Sequence, residues 1–188
     1  MTLDITQIAH KLSLGATLLY PTDTIWGLGC SAIQPDAIEH LYSIKQRDHS
    51  KSMLILVSDE RMLRRFIPNP DPRALDLLLN SDRPTTIIFP NPQMLPENLL
   101  ANDGTIGVRV PKHAFCQQII QLMDAPLVST SANLSGDPSP ACFDDIPDRL
   151  KQKVDIVADP SFDSSRGNSN QSSRILKVVG NEIITIRS

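Results

Sequence analysis

Short apolar runs closed by proline or glycine alternate along this chain with stretches whose apolar residues recur every three or four positions, and this alternation limits the possible folds. Ile5, Ile8 and Leu12 mark a first helix that stops at Gly15, a residue tolerant of positive φ. Residues 16–20 are an apolar run between Gly15 and Pro21, the pattern of a buried strand. Pro35 opens a second helix with Ile38, Leu41 and Ile44 in one stripe. Further strands are predicted at 53–57, 85–89, 105–110 and 127–130. Helices are predicted at 59–66 behind a Ser58 cap, at 73–79 behind Asp71-Pro72, and from Phe115 to Met123. Segments 174–179 and 183–187 flank Gly180-Asn181 as a β-hairpin, preceded by a flexible loop, 161–173, in which six of thirteen residues are Ser. Together these predict a mixed α/β sheet in a single domain spanning 1–188, a length sufficient for one sizeable core.

Composition excludes several classes. A balance of 18 basic against 21 acidic residues gives −3, so a strongly electropositive nucleic-acid binder is not the default, although a local basic cleft stays open. No apolar run approaches the roughly 18 to 20 residues needed to cross a bilayer, and the N-terminus lacks a signal-peptide pattern. A cytoplasmic protein without membrane attachment is expected. Cys30, Cys116 and Cys142 show no CxxC spacing and read as buried structural thiols. The four histidines lack metal-ligand spacing, so no protein-held metal is expected.

Four segments combine small, hydroxyl-bearing and basic residues near strand ends, where ligands sit in open α/β sheets. Tyr20-Pro21-Thr22-Asp23-Thr24 runs into Gly27-Leu28-Gly29, which reads as a polar turn whose glycines permit close backbone approach. Lys45, Arg47 and Lys51 place three cations in seven residues past a helix end. They serve either as a solvated cap of the helix dipole or as a polyphosphate clamp. Arg109 stands alone between apolar neighbours in Gly107-Val108-Arg109-Val110-Pro111 and needs a partner, either a ligand carboxylate or an internal Asp. Residues 129–139 hold five hydroxyls and one amide, with Ser129 and Ser131 alternating toward one side. Neither a Walker phosphate loop nor a GxGxxG turn is present.

In this order the four segments resemble the YrdC-like family of threonylcarbamoyl-adenylate synthases, in its short bacterial form. The resemblance covers the chain from about Ala16 to Arg187 and rests on Tyr-Pro-Thr-Asp-Thr with Gly-Leu-Gly, Lys-x-Arg, Val-Arg-Val-Pro and Ser-Ala-Asn-Leu-Ser-Gly. It implies a twisted open mixed sheet with helices around a large, concave, positively lined cavity. It also implies an enzyme, a nucleotidyltransferase that makes threonylcarbamoyl-AMP and pyrophosphate from L-threonine, bicarbonate and ATP, with Mg²⁺ carried on the nucleotide. Downstream partners form a tRNA threonylcarbamoyl-transfer complex acting at adenosine 37, and direct tRNA binding is an open possibility.

Carried over position by position, Arg47, Lys51, Thr105, Ser131, Asn133, Ser139 and Arg187 are expected at the nucleotide. Thr24, Arg109, Ser129 and Ser173 are expected at threonine, and Lys45, Arg47 and Lys51 are the expected catalytic cations. Departures occur at Leu56, where longer members carry His, in Asp82-Arg83-Pro84-Thr85-Thr86, and at Arg174 beside Ser173. A carbamate formed from threonine is itself an anionic nucleophile, so no Ser-His-Asp set is needed. Water exclusion and alignment on the α-phosphorus become the protein's task. A YciO-like paralogue and a double-stranded-RNA or tRNA-binding module of the same fold are the alternatives.

Overall fold

Glycine, proline and capping side chains punctuate this chain much as their chemistry demands. The structure, a computed structural model, describes residues 3–163, 171–180 and 182–188. Its helices are α1 (Ile5–Ser13), α2 (Pro35–Lys45), α3 (Glu60–Phe66), α4 (Pro72–Asn80), α5 (Ala114–Met123) and α6 (Asp148–Lys151). The strands are β1 (Leu18–Tyr20), β2 (Gly27–Gly29), β3 (Leu54–Leu56), β4 (Thr85–Phe89), β5 (Ile106–Arg109), β6 (Leu127–Ser131), β7 (Ile156–Val157), β8 (Arg174–Val179) and β9 (Glu182–Arg187). Asp4 and Gln7 close a reciprocal capping box on α1. Asp71 caps α4 with Pro72 behind it. The cap of α3 is Asp59 and not Ser58, because the Asp59 carboxylate accepts from Met62 N.

Among the described residues, nine strands form one mixed sheet in the order β7-β1-β2-β6-β3-β5-β4-β8-β9. The pairs β1–β7, β3–β5 and β4–β8 are parallel and the others antiparallel. Alternation sorts the two faces of the sheet. Ile55, Ile87, Phe89, Ile106, Val108 and Leu176 are buried on one face, where α4 packs against β4 and β8. Leu54, Thr86, Ile88, Thr105, Gly107, Arg109, Ile175 and Lys177 line a cavity on the other.

Gly27-Leu28-Gly29 corrects the sequence reading, since it is a buried strand and not a turn. A Cβ on Gly29 would overlap the Val128 carbonyl and press on the Tyr20 ring, so the close approach it permits is strand against strand. The two-residue β7 and the single-turn α6 were too short to show a period in the sequence. The hairpin forms as expected, but its isoleucines do not dock: Ile183, Ile184 and Ile186 are 49%, 40% and 56% exposed. Backbone pairing to β8 holds β9 in place. Cys30 and Cys116 are buried as expected, whereas Cys142 is exposed. Because Gly29 faces backbone, Gly29→Ala is expected to lose about 1–3 kcal/mol of stability in urea unfolding. Gly15→Ala, in open space but at φ 96°, serves as the comparison where strain alone acts.

Candidate active site

Arg109 closes β5 with its side chain on the cavity face, only 3% exposed, where an unanswered charge is costly. Asp23, from the turn after β1, supplies the answer. Its Oδ1 accepts from Arg109 Nη1 at 2.8 Å while Oδ2 accepts from Lys112 N at 3.0 Å. Arg109 Nη1 also donates to Thr24 Oγ1 at 3.2 Å, and Thr22 and Thr24 bond through their hydroxyls at 2.9 Å. Among the described residues, none bonds to the buried Arg109 Nε. Of the two partners the sequence left open for Arg109, the internal Asp is present.

The cations after α2 diverge. Gln46 adopts a left-handed φ of 50°, which ends the helix and turns Arg47 away from Lys45. Arg47 reaches the cavity, donating from Nε to Lys51 O at 2.7 Å and from Nη2 to Ser52 O at 3.0 Å. Lys45, expected as a catalytic cation, lies outside the cavity lining. It is 1% exposed, and its ammonium donates to Ser131 O at 2.5 Å and Asn133 O at 2.7 Å. A buried ammonium needs such acceptors, so Lys45 tethers the exit of β6 to α2. Asn133 is part of the same turn, accepting from the Ser131 hydroxyl and donating to Asp137 O at 2.5 Å.

The cavity holds about 590 Å³, within the roughly 300–1,000 Å³ typical of small-molecule sites. Nine of the twelve candidate residues line it: Thr24, Arg47, Thr105, Arg109, Ser129, Ser131, Ser139, Ser173 and Arg187. Lys45, Asn133 and the exposed Lys51 stand outside the lining. Leu56, at the position where a histidine was considered, is fully buried opposite Arg109, and Leu54 takes the cavity wall. Arg174 points away from the cavity, donating to Thr85 Oγ1 and Ser81 Oγ, both at 2.9 Å. In the loop 161–173, Asp163 Oδ2 accepts from Trp26 Nε1 at 2.9 Å, and Ser173 Oγ meets Thr86 Oγ1 at 2.8 Å. Residues 164–170, the middle of the expected flexible loop, lie outside the described residues.

Arg187 donates from Nε and Nη2 to Ser173 O at 3.1 and 2.7 Å. Arg47 and Arg187 therefore rest on neutral carbonyls, and among the described residues neither has a carboxylate in ion-pair reach. Burial pulls both guanidinium pKa values down, and the Arg109 charge adds to this at Arg187. Two guanidiniums held on neutral carbonyls in one partly dry cavity give it a positive potential. Sequence reasoning did not assign Asp23, Trp26, Asp103 or Lys177 to the site. Asp103 accepts from Thr105 Oγ1 at 2.7 Å and from Lys177 Nζ at 3.1 Å. The alternation of Lys177 with Ile175 in the hairpin strand was the available signal. Burial pushes the Cys30 thiol up to about 12 and the Cys116 thiol higher, which removes both as nucleophiles.

The family model for Sua5/YciO/YrdC, described as telomere recombination, matches residues 10–188. A threonylcarbamoyl-AMP synthase of Acinetobacter baumannii is 28% identical over 191 aligned positions, covering 98% of each chain. One of Xanthomonas euvesicatoria is 32% identical over 161 positions, covering 84% of this chain and 86% of the relative. Among solved structures, P. abyssi Sua5 complexed with L-threonine superposes with a TM-score of 0.84 at 22% identity, over 97% of this chain. This chain spans about half the length of that one, 53%. E. coli YciO gives 0.80 at 24% identity, over 97% of this chain and 87% of its own. At these identities the superpositions speak for the fold.

Lys45 supplies a pH signature. Burial, and then the Arg47 charge, push its pKa from 10.5 down to about 7. Between these values the unfolded chain holds a proton that the folded chain has lost, so stability rises with pH across that window. Urea unfolding from pH 7 to 10 is expected to show this rise in the parent, and Lys45→Met to flatten it.

Proposed function

The chain belongs to the Sua5/YciO/YrdC family, and from that premise we propose that it is an L-threonylcarbamoyladenylate synthase, a nucleotidyltransferase using L-threonine, bicarbonate and ATP. The observation that carries this reading is the convergence of four chain segments on one cavity that holds two guanidiniums with no carboxylate partner among the described residues. In this reading the nucleotide meets Arg47, Thr105, Ser131, Ser139 and Arg187, with Lys51 closing on its outer end. Threonine meets Thr24, Arg109, Ser129 and Ser173. Lys45 and Asn133 serve from behind, by shaping the turn that presents Ser131.

Bicarbonate supplies carbon dioxide with loss of water, threonine must lose its ammonium proton to attack it, and the positive charge of Arg109 and Arg187 nearby favours the neutral amine. The carbamate that forms carries its own negative charge and attacks the α-phosphorus without a side-chain nucleophile. The mixed carbamic–phosphoric anhydride bond forms as the bond to pyrophosphate breaks, and Arg47 meets the charge that accumulates on the leaving group. The buried walls around Arg109 and Ser129 keep water from the labile carbamate. Mg²⁺ would supply charge neutralisation on the triphosphate. Among the described residues no cluster of three His, Cys, Asp or Glu forms, and Asp23 and Asp103 are already bonded. The reading therefore takes the metal as carried in by ATP.

A cytoplasmic setting, a single domain over 1–188 and delivery of the product to a tRNA threonylcarbamoyl-transfer complex belong to the same proposal. Intact Lys45-Gln46-Arg47 and Ser131-Ala132-Asn133 favour it over a YciO-like paralogue. A net charge of −3 and only 4% aromatics disfavour a nucleic-acid module.

Two measurements test the reading. Pyrophosphate is expected to appear from ATP only when threonine and bicarbonate are both present, and release of orthophosphate, or indifference to threonine, would sink it. Arg109→Lys keeps the charge but loses the planar fork, so the threonine KM is expected to rise about tenfold or more while the ATP KM holds. An equal rise in both constants would make Arg109 structural only.

A further inference from the structure

The ladder between β8 and β9 contains one irregularity, and it lies beside Arg187. Lys177 pairs with Ile184 and Leu176 with Thr185, but Ile175 then pairs with Arg187, so Ile186 is an extra residue in β9. Residues directly opposite each other in a sheet share a face. Lys177 and Ile175 line the cavity, so an unbroken ladder would set Ile186 opposite Ile175 and send Arg187 to the other face. There it would stand opposite Arg174, whose guanidinium lies on the α4 side with Ser81 and Thr85. Two guanidiniums would then share one spot, with no cavity in reach.

The extra residue reverses this outcome. With it, Ile186 and Arg187 both line the cavity opposite Ile175, as the two residues of a bulge facing a single partner do. Arg187 then reaches Ser173 O through two nitrogens and Ser173 Oγ at 3.4 Å. We propose that the bulge is a register device: it absorbs the extra residue Ile186 and so keeps Arg187 opposite Ile175, on the cavity face at the nucleotide site. The proposal rests on the nucleotide reading above for its functional consequence, but not for its geometry.

The device makes an unusual prediction, that removing a residue does less harm than adding one. Deletion of Ile186 lets a regular ladder place the arginine opposite Ile175, so affinity for an unreactive ATP analogue is expected to stay within about threefold of the parent. Insertion of one alanine between Ile186 and Arg187 carries the arginine past its partner. Its affinity is expected to fall as far as that of Arg187→Ala, by about 10- to 150-fold for a lost charge-assisted bond. Titration calorimetry reads the affinities, and thermal midpoints close to the parent's confirm that each variant folds.

A second measurement is independent of any ligand. The Arg187 Nε–H signal in nuclear magnetic resonance, protected by its bond to Ser173 O, is expected in the parent and the deletion and absent from the insertion. If the insertion keeps both the signal and the affinity, or the deletion loses both, the register device is refuted. If Arg187→Ala binds the analogue like the parent while the signal follows the predicted pattern, the bulge stands and the nucleotide assignment of Arg187 falls.

Discussion

A guanidinium set into a sheet between buried aliphatic residues must find an opposite charge, and in this protein that need organises the site. Asp23 reaches Arg109 across 86 positions of sequence, and both side chains are almost fully removed from water. Breaking such a pair from one side leaves a bare buried charge, at a cost of about 3–5 kcal/mol. The pair fixes more than itself. It pins the connection between β1 and β2 over the end of β5, with the second Asp23 oxygen held by Lys112 N. The hydroxyls of Thr22 and Thr24 and the Ile25 carbonyl then form one bonded turn facing the cavity.

A second cation plays the opposite part. Lys45 is as deeply buried as Arg109 but answers to backbone carbonyls, so it joins α2 to the turn after β6 without presenting charge to the cavity. The left-handed Gln46 is what lets neighbours in sequence divide the labour, with Lys45 directed inward to the scaffold and Arg47 outward to the ligand space.

Much of this was legible from residue order. The helix stripe of α2, the β-rich run of β4 and the apolar strand of β6 followed from periodicity, and nine of the twelve candidate residues met in one cavity. What stayed hidden depended on tertiary partners. Nothing local distinguishes Lys45 from Arg47, since both are long cations near a helix end and only the location of free carbonyls separates them. The strand β2 was hidden because its two glycines read as turn residues, while their actual reason is the Val128 carbonyl above them. Ile183, Ile184 and Ile186 read as core because apolar character cannot report that an edge strand has no neighbour beyond it.

The parallel pairing of β4 with β8 has a kinetic meaning. Thr85 and Arg174 stand 89 positions apart, and no tight turn can bring such strands together. Loop closure on that scale is entropically slow, so sheets rich in distant pairings form late and together. The cavity floor takes residues from strands on both sides of this joint. The site therefore has no half-built version in a partly folded chain: before β8 docks, Ser173 and Arg187 have no fixed position, and Arg47 and Arg109 line an open face. Binding capacity during refolding should consequently appear in step with the last sheet pairing, which makes ligand capture a clock for completion of the fold.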